Sequence, residues 1–201
     1  MSSRPVSPDE LTRARTVRAH AHHQVDPGQD GREFRRVLGS FCSGITILTA
    51  SVDGEPVGMT CQSFFSVSLD PPLVSFCVSR SSTTYPVLRE ADGFVVNVLG
   101  TDQELLSSHF AARGADRWTG VDWSPSSITG SPVLADSLAV LDCAVDAEIA
   151  AGDHILVVAR VLGMRARDDA GPLLYYRGAY RRLHDAVRPT GAAALRRGGA
   201  E

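Results

Sequence analysis

The segment GMTCQSFFSVSLDPPL, residues 58–73, has the apolar content of a β-strand but carries small polar side chains at many positions. Successive side chains of a strand project to opposite faces. One face, with Cys61, Phe65, Val67 and Leu69, is therefore predicted to join a core, while the other presents hydroxyl and amide groups. Such a surface suits a flat ligand rich in heteroatoms. The proline pair at 71–72 is expected to end the strand, because proline lacks an N–H group and restricts φ.

The overall composition is that of an ordinary globular protein. With 201 residues, 43% of them hydrophobic and 21% charged, the chain is long enough for one domain with a proper core. The sequence contains no lysine, so all 20 of its basic residues are arginine. The net charge of -3 favours neither a nucleic acid nor an anionic membrane as a partner.

The four cysteines, Cys42, Cys61, Cys77 and Cys143, are widely spaced in apolar or strand-like contexts. They form neither a CxxC pair nor a zinc-binding spacing, so buried reduced thiols are expected and no metal site is predicted. The sequence has no run of about 18 apolar residues that would form a membrane helix. Its N-terminus lacks the apolar centre of a signal peptide. We therefore expect a cytoplasmic protein.

Composition along the chain predicts one folded domain over residues 31–185. Residues 1–30 are rich in Arg, Ser, Pro and His without a sustained apolar period, and are predicted to be a flexible extension; residues 186–201, AVRPTGAAALRRGGAE, are predicted to be a similar flexible tail. Inside the domain, the spacing of Phe34, Val37, Leu38 and Phe41 predicts an amphipathic helix. Thr101 and Glu104 have the spacing of a capping box, which predicts the start of another helix.

Strands dominate the remainder of the predicted domain. They are expected at 45–50, 56–60, 73–78, 94–99, 138–149, 155–161 and 173–176. Helices are few, and no regular alternation of strand and helix is visible. This pattern predicts a mainly β fold, a closed antiparallel barrel, and argues against a doubly wound parallel sheet.

Five segments together resemble a known family. They are FRRVLGSFCSGITILTA (34–50), the segment 58–73, the Ser/Thr loop at 79–84, the tripeptide Gly152-Asp153-His154 and PLLYYRGAY (172–180). In order and content they resemble the flavin reductase-like family, whose fold is the FMN-binding split barrel, an antiparallel barrel of Greek-key type. Within that family the chain looks like the reductase components of two-component flavin-dependent monooxygenases. The resemblance extends from Phe34 to Leu183.

The resemblance implies that flavin lies along the segment 58–73. Backbone and side-chain groups would serve the polar edge of the isoalloxazine ring, apolar side chains would cover the ring, and Ser68 would hold the ribityl chain. The implied contacts are Thr60, Cys61, Gln62, Ser63, Phe64, Phe65, Val67 and Ser68. Many members of the family have Ala-Asn where this chain has Cys61-Gln62. A half-exposed edge strand with solvated serines is the structural alternative.

A cluster of hydroxyl side chains, residues 79–84, precedes a short helical pattern. Hydroxyls and unsatisfied N–H groups at the start of a helix bind anions. By resemblance, Ser82, Thr83 and Thr84 would contact the phosphoribityl tail of the flavin. The alternative is an ordinary capped turn. Arg113 and Arg117 could add charge there, but solvated arginines are the expectation.

His154 and the Tyr-Tyr-Arg-Gly sequence at 175–178 are assigned to the nicotinamide by the same resemblance. His154 would orient the nicotinamide or balance the charge of reduced flavin, and we treat it as the candidate catalytic residue. Tyr175, Tyr176, Arg177 and Gly178 offer aromatic faces, a guanidinium group and a glycine that permits close approach. The alternatives are a structural histidine at a strand end and ordinary aromatic packing.

The resemblance therefore implies an NAD(P)H-dependent flavin reductase, an oxidoreductase that passes a hydride from NADH or NADPH to FMN or FAD. The reduced flavin would then go to a separate monooxygenase, and a homodimer is expected. Three alternatives remain at this point: a flavin-binding redox module, a split-barrel oxidase of a substrate such as a pyridoxamine phosphate, and a non-catalytic partner of an oxygenase. No glycine-rich dinucleotide fingerprint of the Rossmann type is present.

Overall fold

The structure, a computed structural model, describes residues 27–112, 114 and 116–183. Most of the predicted N-terminal extension, all of the predicted C-terminal tail, and Arg113 lie outside the described residues. The helices are α1 (Pro27–Leu38), α2 (Tyr85–Leu88) and α3 (Glu104–Ala111). The strands are β1 (Ser43–Gly44), β2 (Thr46–Val52), β3 (Glu55–Cys61), β4 (Phe65–Leu69), β5 (Pro72–Ser79), β6 (Phe94–Val98), β7 (Trp123–Pro125), β8 (Pro132–Leu134), β9 (Ala139–Ala151), β10 (His154–Ala166), β11 (Leu174–Tyr176) and β12 (Ala179–Arg181).

The first helix differs from its prediction at both ends. It begins at Pro27, inside the segment that was expected to be flexible, and it ends at Leu38, before Phe41. A salt bridge between Glu33 and Arg36, one turn apart, stabilises it locally. The helix belongs to a first compact unit that ends at Leu38, and the strands belong to a second unit that starts at Gly39.

Seven strands form the main sheet, in the order β3-β2-β6-β9-β10-β5-β4, and every neighbouring pair is antiparallel. The β2–β3 hairpin turns at Asp53 and Gly54, whose φ angles of 53° and 83° are both positive. Such two-residue turns match the right-handed twist of the strands they connect. The mainly β, antiparallel fold that the sequence predicted is confirmed.

The sheet curls, so that the chain after β3 meets β5 near the other end of the strand order. The backbone N–H of Cys77 donates to Ser63 Oγ at 2.8 Å, and Ser63 Oγ donates to the Cys77 carbonyl at 3.0 Å. The Ser63 side chain therefore makes the hydrogen bonds to β5 that a neighbouring strand backbone would otherwise make. Space remains between the end of β3 and the end of β5, and the candidate site lies there.

The interior of the barrel is closely packed and apolar. Phe76 and Phe94 are almost fully buried, and their rings meet edge to face with centroids 5.7 Å apart. Leu48, Val96 and Val157 surround them. Truncation of one such phenylalanine to alanine would cost about 3–5 kcal/mol of folding free energy. A second cluster, which includes Ile47 and Phe110, forms where α3 packs on the strands.

The segment 58–73 comprises the end of β3, the whole of β4 and the first two residues of β5. It divides at residues 62–64, and the register shifts again between Ser66 and Ser68. The prediction that Phe65, Val67 and Leu69 join the core is wrong, since their side chains are 53%, 50% and 94% exposed. The reason is that β4 is the edge strand of the sheet and bulges away from it.

The predicted capping box at Thr101 and Glu104 is also wrong. The residue that precedes α3 is Gln103, and no side chain caps the helix. Thr101 Oγ1 instead donates to the Gly171 carbonyl at 2.8 Å, and Gln103 Oε1 accepts the Gly100 N–H at 2.9 Å. The Thr101 hydroxyl, which the local pattern predicted to cap the helix, therefore binds a carbonyl group 70 residues away in the sequence.

Candidate functional site

A cavity of about 850 Å³ opens between the end of β3, the end of β5 and the C-terminal end of α3. This volume falls in the range of roughly 300–1,000 Å³ that is usual for small-molecule sites. We call it the main cavity. Seven of the predicted flavin contacts line it: Thr60, Cys61, Gln62, Ser63, Ser82, Thr83 and Thr84.

One wall of the main cavity is polar and belongs to β3 and the residues after it. Thr60 Oγ1 donates to the Ser107 carbonyl at 3.0 Å, which ties this wall to α3. Cys61 Sγ lies 3.4 Å from Ser63 Oγ. Burial raises the pKa of the Cys61 thiol, so it stays protonated at neutral pH. Gln62 is exposed at the mouth of the cavity.

The hydroxyl loop, residues 79–84, forms another wall. Ser82 Oγ accepts the Tyr85 N–H at 3.1 Å, and Ser79 Oγ lies 2.8 Å from Ser81 Oγ. The helix that follows, α2, has only four residues, so its dipole is too small to hold an anion. Hydroxyl groups and a nearby cation must therefore supply the contacts to any phosphate.

That cation is Arg117, and the expectation that it would be solvated is wrong. Arg117 Nη1 donates to Thr84 Oγ1 at 2.9 Å and to the Gly58 carbonyl at 3.1 Å. Nε and Nη2 both donate to the Ala112 carbonyl. All of these acceptors are neutral oxygens, so no carboxylate of the described residues pairs with the guanidinium at the cavity wall. Spacing in the sequence carries no signal of this, because the partners are 33 and 59 positions away.

Gly58 is needed for this arrangement. A Cβ atom at this position would lie 2.6 Å from Phe110 Cε1 and 3.2 Å from Trp118 Cζ2. Without a side chain, β3 passes closely over both rings, which themselves meet edge to face with centroids 5.1 Å apart. The Gly58 carbonyl thereby comes within reach of Arg117.

A side-chain cluster fixes α2 and, with it, the hydroxyl loop. The Tyr85 hydroxyl donates to Glu148 Oε1 at 2.6 Å, and Arg89 Nη2 lies 2.9 Å from Glu148 Oε2. Burial, reinforced by the Glu148 carboxylate, raises the pKa of Tyr85 well above its ordinary value. The tyrosine therefore remains a hydrogen-bond donor. No motif in the sequence marks Glu148, which lies in the long strand β9.

His154 begins β10 directly opposite Ser79 of β5. Opposed residues of an antiparallel pair project to the same face, so the histidine shares the face of a residue that lines the main cavity. Its Nδ1 lies 2.7 Å from Asp153 Oδ1, and this contact lowers the pKa of Asp153. His154 itself is beside the cavity and does not line it.

The Tyr-Tyr-Arg-Gly residues form the β11–β12 hairpin, which pairs with β1. Arg177 and Gly178 make the turn, with φ angles of 51° and 77°. The Arg177 guanidinium carbon lies 5.2 Å from the centre of the Tyr176 ring, and the Tyr175 and Tyr180 rings pack together. None of Tyr175, Tyr176, Arg177 and Gly178 lines the main cavity.

The remaining predicted flavin contacts, Phe64, Phe65, Val67 and Ser68, also lie outside the wall of the main cavity. Phe64 packs against the barrel core, and the other three are on the edge strand β4. Their role in flavin binding stays a prediction. Another cavity, of about 390 Å³, lies by β7 and β8 and contains no predicted site residue.

Within residues 27–112, 114 and 116–183, no helix is long and apolar enough to cross a membrane. The same part of the chain holds no group of three or more His, Cys, Asp and Glu side chains that could bind a metal ion.

Known proteins share this fold and much of the sequence. The chain is 43% identical, over 81% of its length and 80% of the relative, to the reductase subunit HsaB of a flavin-dependent monooxygenase from Rhodococcus jostii. It is 40% identical, over 81% of its length and 91% of the relative, to the FMN reductase (NADH) SmoA from Agrobacterium fabrum.

Solved structures agree with these sequence relatives. The NADH:FAD oxidoreductase SgcE6 of Streptomyces globisporus, solved in complex with NAD and FAD fragments, superposes with a TM-score of 0.76. It is 34% identical, over 83% of this chain and all of that structure. The family model described as the flavin reductase like domain matches residues 38–184, which contain the barrel and the main cavity. The chain belongs to the flavin reductase like domain family.

Proposed function

We propose that the protein is an NAD(P)H:flavin oxidoreductase that passes a hydride from NADH to FMN or FAD. The observation that carries the proposal is the main cavity, where a polar strand end, a hydroxyl loop and Arg117 meet. The names of the relatives support the reaction, because they are reductases that use NADH or serve a flavin-dependent monooxygenase. We also propose that the reduced flavin leaves for a separate monooxygenase.

The residues of the main cavity fit a flavin chemically. The isoalloxazine ring has one polar edge and one apolar edge. Thr60, Gln62 and Ser63 provide hydrogen-bonding groups on one side, while Met59 and Phe110 provide apolar surface. Thr84 and Arg117 stand where a phosphate would accept hydrogen bonds from a hydroxyl and a guanidinium group.

The protein's part in the reaction is alignment of two ligands. Bound flavin supplies the hydride acceptor and reduced nicotinamide the hydride, so no general base is required. The wall at residues 60–63 orients the ring, and the Arg117 charge holds the tail. His154, beside the cavity at Ser79, is proposed to orient the nicotinamide from the open side.

Two finer assignments belong to the same proposal. A homodimer would cover the exposed apolar side chains of the main sheet. A cytoplasmic location follows from the chemistry proposed, because reduced nicotinamide is produced inside the cell.

The test is NADH oxidation by the purified protein, followed by absorbance without flavin, with FMN and with FAD. We expect oxidation that depends on added flavin. Thr84→Val, which keeps the shape but removes the hydroxyl, should raise the flavin KM about tenfold, because a hydrogen bond to a charged group is lost. Ser127→Ala, in the exposed turn between β7 and β8 and outside the wall of the main cavity, is the matched control and should leave this KM unchanged.

If neither NADH nor NADPH is consumed with either flavin, the enzyme assignment is wrong. A flavin-binding redox module, or a non-catalytic partner of an oxygenase, would give that result. An equal KM for wild type and Thr84→Val would remove the hydroxyl loop from the proposed site.

A further inference from the structure

A second cavity, of about 450 Å³, continues from the main cavity. The two share Thr83, Thr84, Gly114 and Arg117 in their walls. The second cavity therefore begins where the proposed site for the flavin phosphate ends. A ligand that stopped at a single phosphate would use only the main cavity.

The second cavity has the walls of a site for a flat apolar ring. It is lined by Pro56, Val57, Val87 and Trp118. The Trp118 ring is held between two other aromatic rings, with centroids 5.1 Å from Phe110 and 5.9 Å from Trp123. An aromatic side chain that is already fixed provides a stacking or edge contact for a nucleobase at little entropic cost.

Asp116 fixes the turn that presents Trp118. Its Oδ1 accepts the backbone N–H groups of Trp118 at 2.9 Å and of Thr119 at 3.2 Å, and its Oδ2 accepts the Thr119 hydroxyl. The carboxylate is consequently engaged by three donors of its own turn. The aromatic wall of the second cavity thus has a defined position before any ligand binds.

Arg117 stands at the junction of the two cavities. Among the described residues its guanidinium donates only to neutral oxygens, those of Gly58, Thr84 and Ala112. Its charge is therefore available to anions on both sides. A pyrophosphate, which carries two adjacent charged groups, would span this junction, with the Thr83 and Thr84 hydroxyls as further donors.

We infer that the flavin this chain prefers is FAD, with its adenosine in the second cavity and its pyrophosphate at Arg117. The inference rests on the function proposed above. The relatives leave the choice open, since one is named for FMN and another for FAD. NADH carries the same adenosine diphosphate group, but the second cavity continues from the proposed flavin phosphate site, which favours the flavin as its source.

The experiment measures KM for FMN, FAD and NADH in the wild type and in Val87→Trp. Val87 lies on α2, 40% exposed, so an indole there fills the second cavity without disturbing the core. We expect a wild-type KM for FAD about tenfold below that for FMN, because stacking of one base is typically worth that much. Val87→Trp should abolish this advantage and leave the KM values for FMN and NADH unchanged.

Leu105→Trp is the matched control, since Leu105 is 86% exposed on α3 and lines neither cavity. It should change none of the three constants. A measurement without a variant complements the pair: adenosine, which lacks the phosphates that would also occupy the FMN phosphate site at Arg117, should compete with FAD for the wild-type protein and should not compete with FMN. This competition decides the question even if Val87→Trp fails to fold.

Three results would overturn the inference. The wild type could bind FMN as tightly as FAD, Val87→Trp could affect both flavins equally, or Val87→Trp could raise the KM for NADH and leave both flavin constants unchanged. The last result would assign the second cavity to the nicotinamide dinucleotide. In each of these cases flavin is still reduced, whereas the absence of any flavin reduction would refute the proposed function as well.

Discussion

At the scale of single residues, the described neighbours of His154 and Arg177 leave polar atoms of both side chains accessible to a ligand. Asp153 engages Nδ1 of His154, so Nε2 is the nitrogen that remains for a ligand. Arg177 adopts a φ of 51°, in the left-handed region that non-glycine residues rarely occupy. A glycine or asparagine would fit that backbone with less strain, so the guanidinium group itself is the reason we assign it a function.

We predict that His154→Ala and Arg177→Ala raise the KM for NADH or lower kcat, while the flavin Kd changes less. The physical reason is that both residues are proposed to contact the nicotinamide and not the flavin. Stopped-flow or steady-state kinetics with a separate flavin titration would measure both quantities.

Two further variants complete this comparison. Arg177→Asn also removes the charge but tolerates the positive φ, so it should match Arg177→Ala if charge is the cause. Arg181→Ala removes an exposed arginine of the same hairpin and should have no effect. A loss of flavin affinity as large as the loss of NADH affinity would contradict our division of the site.

At the scale of elements, the position of α2 depends on one carboxylate of β9. Glu148 accepts a hydrogen bond from the hydroxyl of Tyr85, the first residue of α2, and pairs with Arg89, the residue directly after the helix. Because Tyr85 is 2% exposed, its phenol cannot find water as a substitute partner. Glu148 therefore acts as a positioning residue for the hydroxyl loop that α2 follows.

The raised pKa of Tyr85 has a defined consequence for stability. The folded protein retains the phenolic proton at pH values where the unfolded chain has lost it. The stabilisation is complete below the ordinary tyrosine value of about 10 and is lost as the pH rises above it.

We predict that Glu148→Gln raises the flavin KM several-fold and leaves the NADH KM unchanged. The amide weakens the hydrogen bond to Tyr85 and removes the ion pair with Arg89, so the hydroxyl loop is held less firmly. Absorbance titration of tyrosinate should also show Tyr85 ionising at lower pH than in the wild type, which a merely structural loss elsewhere would not produce.

Asp146→Asn is the control for this prediction. Asp146 lies two residues away on the same strand and pairs with Arg160 at 2.7 Å. It contacts neither α2 nor the main cavity, so the KM values for flavin and for NADH should both be unchanged. If Glu148→Gln lowers thermal stability but leaves the flavin KM unchanged, Glu148 only stabilises the fold.

At the scale of the whole molecule, exposed apolar side chains collect on three strands of the main sheet. They are Phe65, Val67 and Leu69 on β4, Val145 and Ile149 on β9, and Leu162 and Met164 on β10. In an antiparallel sheet with one solvated face, the side chains that face the solvent are normally polar. In the homodimer proposed above, another copy of the chain would cover apolar side chains in this number.

We predict that the wild type is a homodimer and that Ile149→Asp converts it to a monomer, since a buried charge opposes association. Ile149 is 51% exposed and lies opposite Leu156 in the sheet. Light scattering coupled to gel filtration would measure the mass. Leu105→Asp, on α3, should leave the dimer intact, and a monomeric wild type would refute the prediction.

Features that depend on neighbouring residues could be predicted from the sequence, whereas features that depend on contacts between distant residues could not. The β2–β3 hairpin, the buried strands β5 and β6 and the turn before β5 were all predictable, since alternation and turn residues act over a few positions. The cap at Thr101, the exposure of Phe65 and the role of Arg117 were not. In each, a distant partner or the position of a strand at the edge of the sheet outweighed the local pattern.

The sequence alone determined the class of fold and the polar wall at residues 60–63. Strand alternation and the choice of turn residues are local properties, and the family resemblance rests on the same contiguous segments. Only the tertiary structure decided which residues enclose the cavities. Curling of the sheet brings β3, the hydroxyl loop and Arg117 together across 33 to 59 positions of chain, and no local pattern encodes a contact over such a distance.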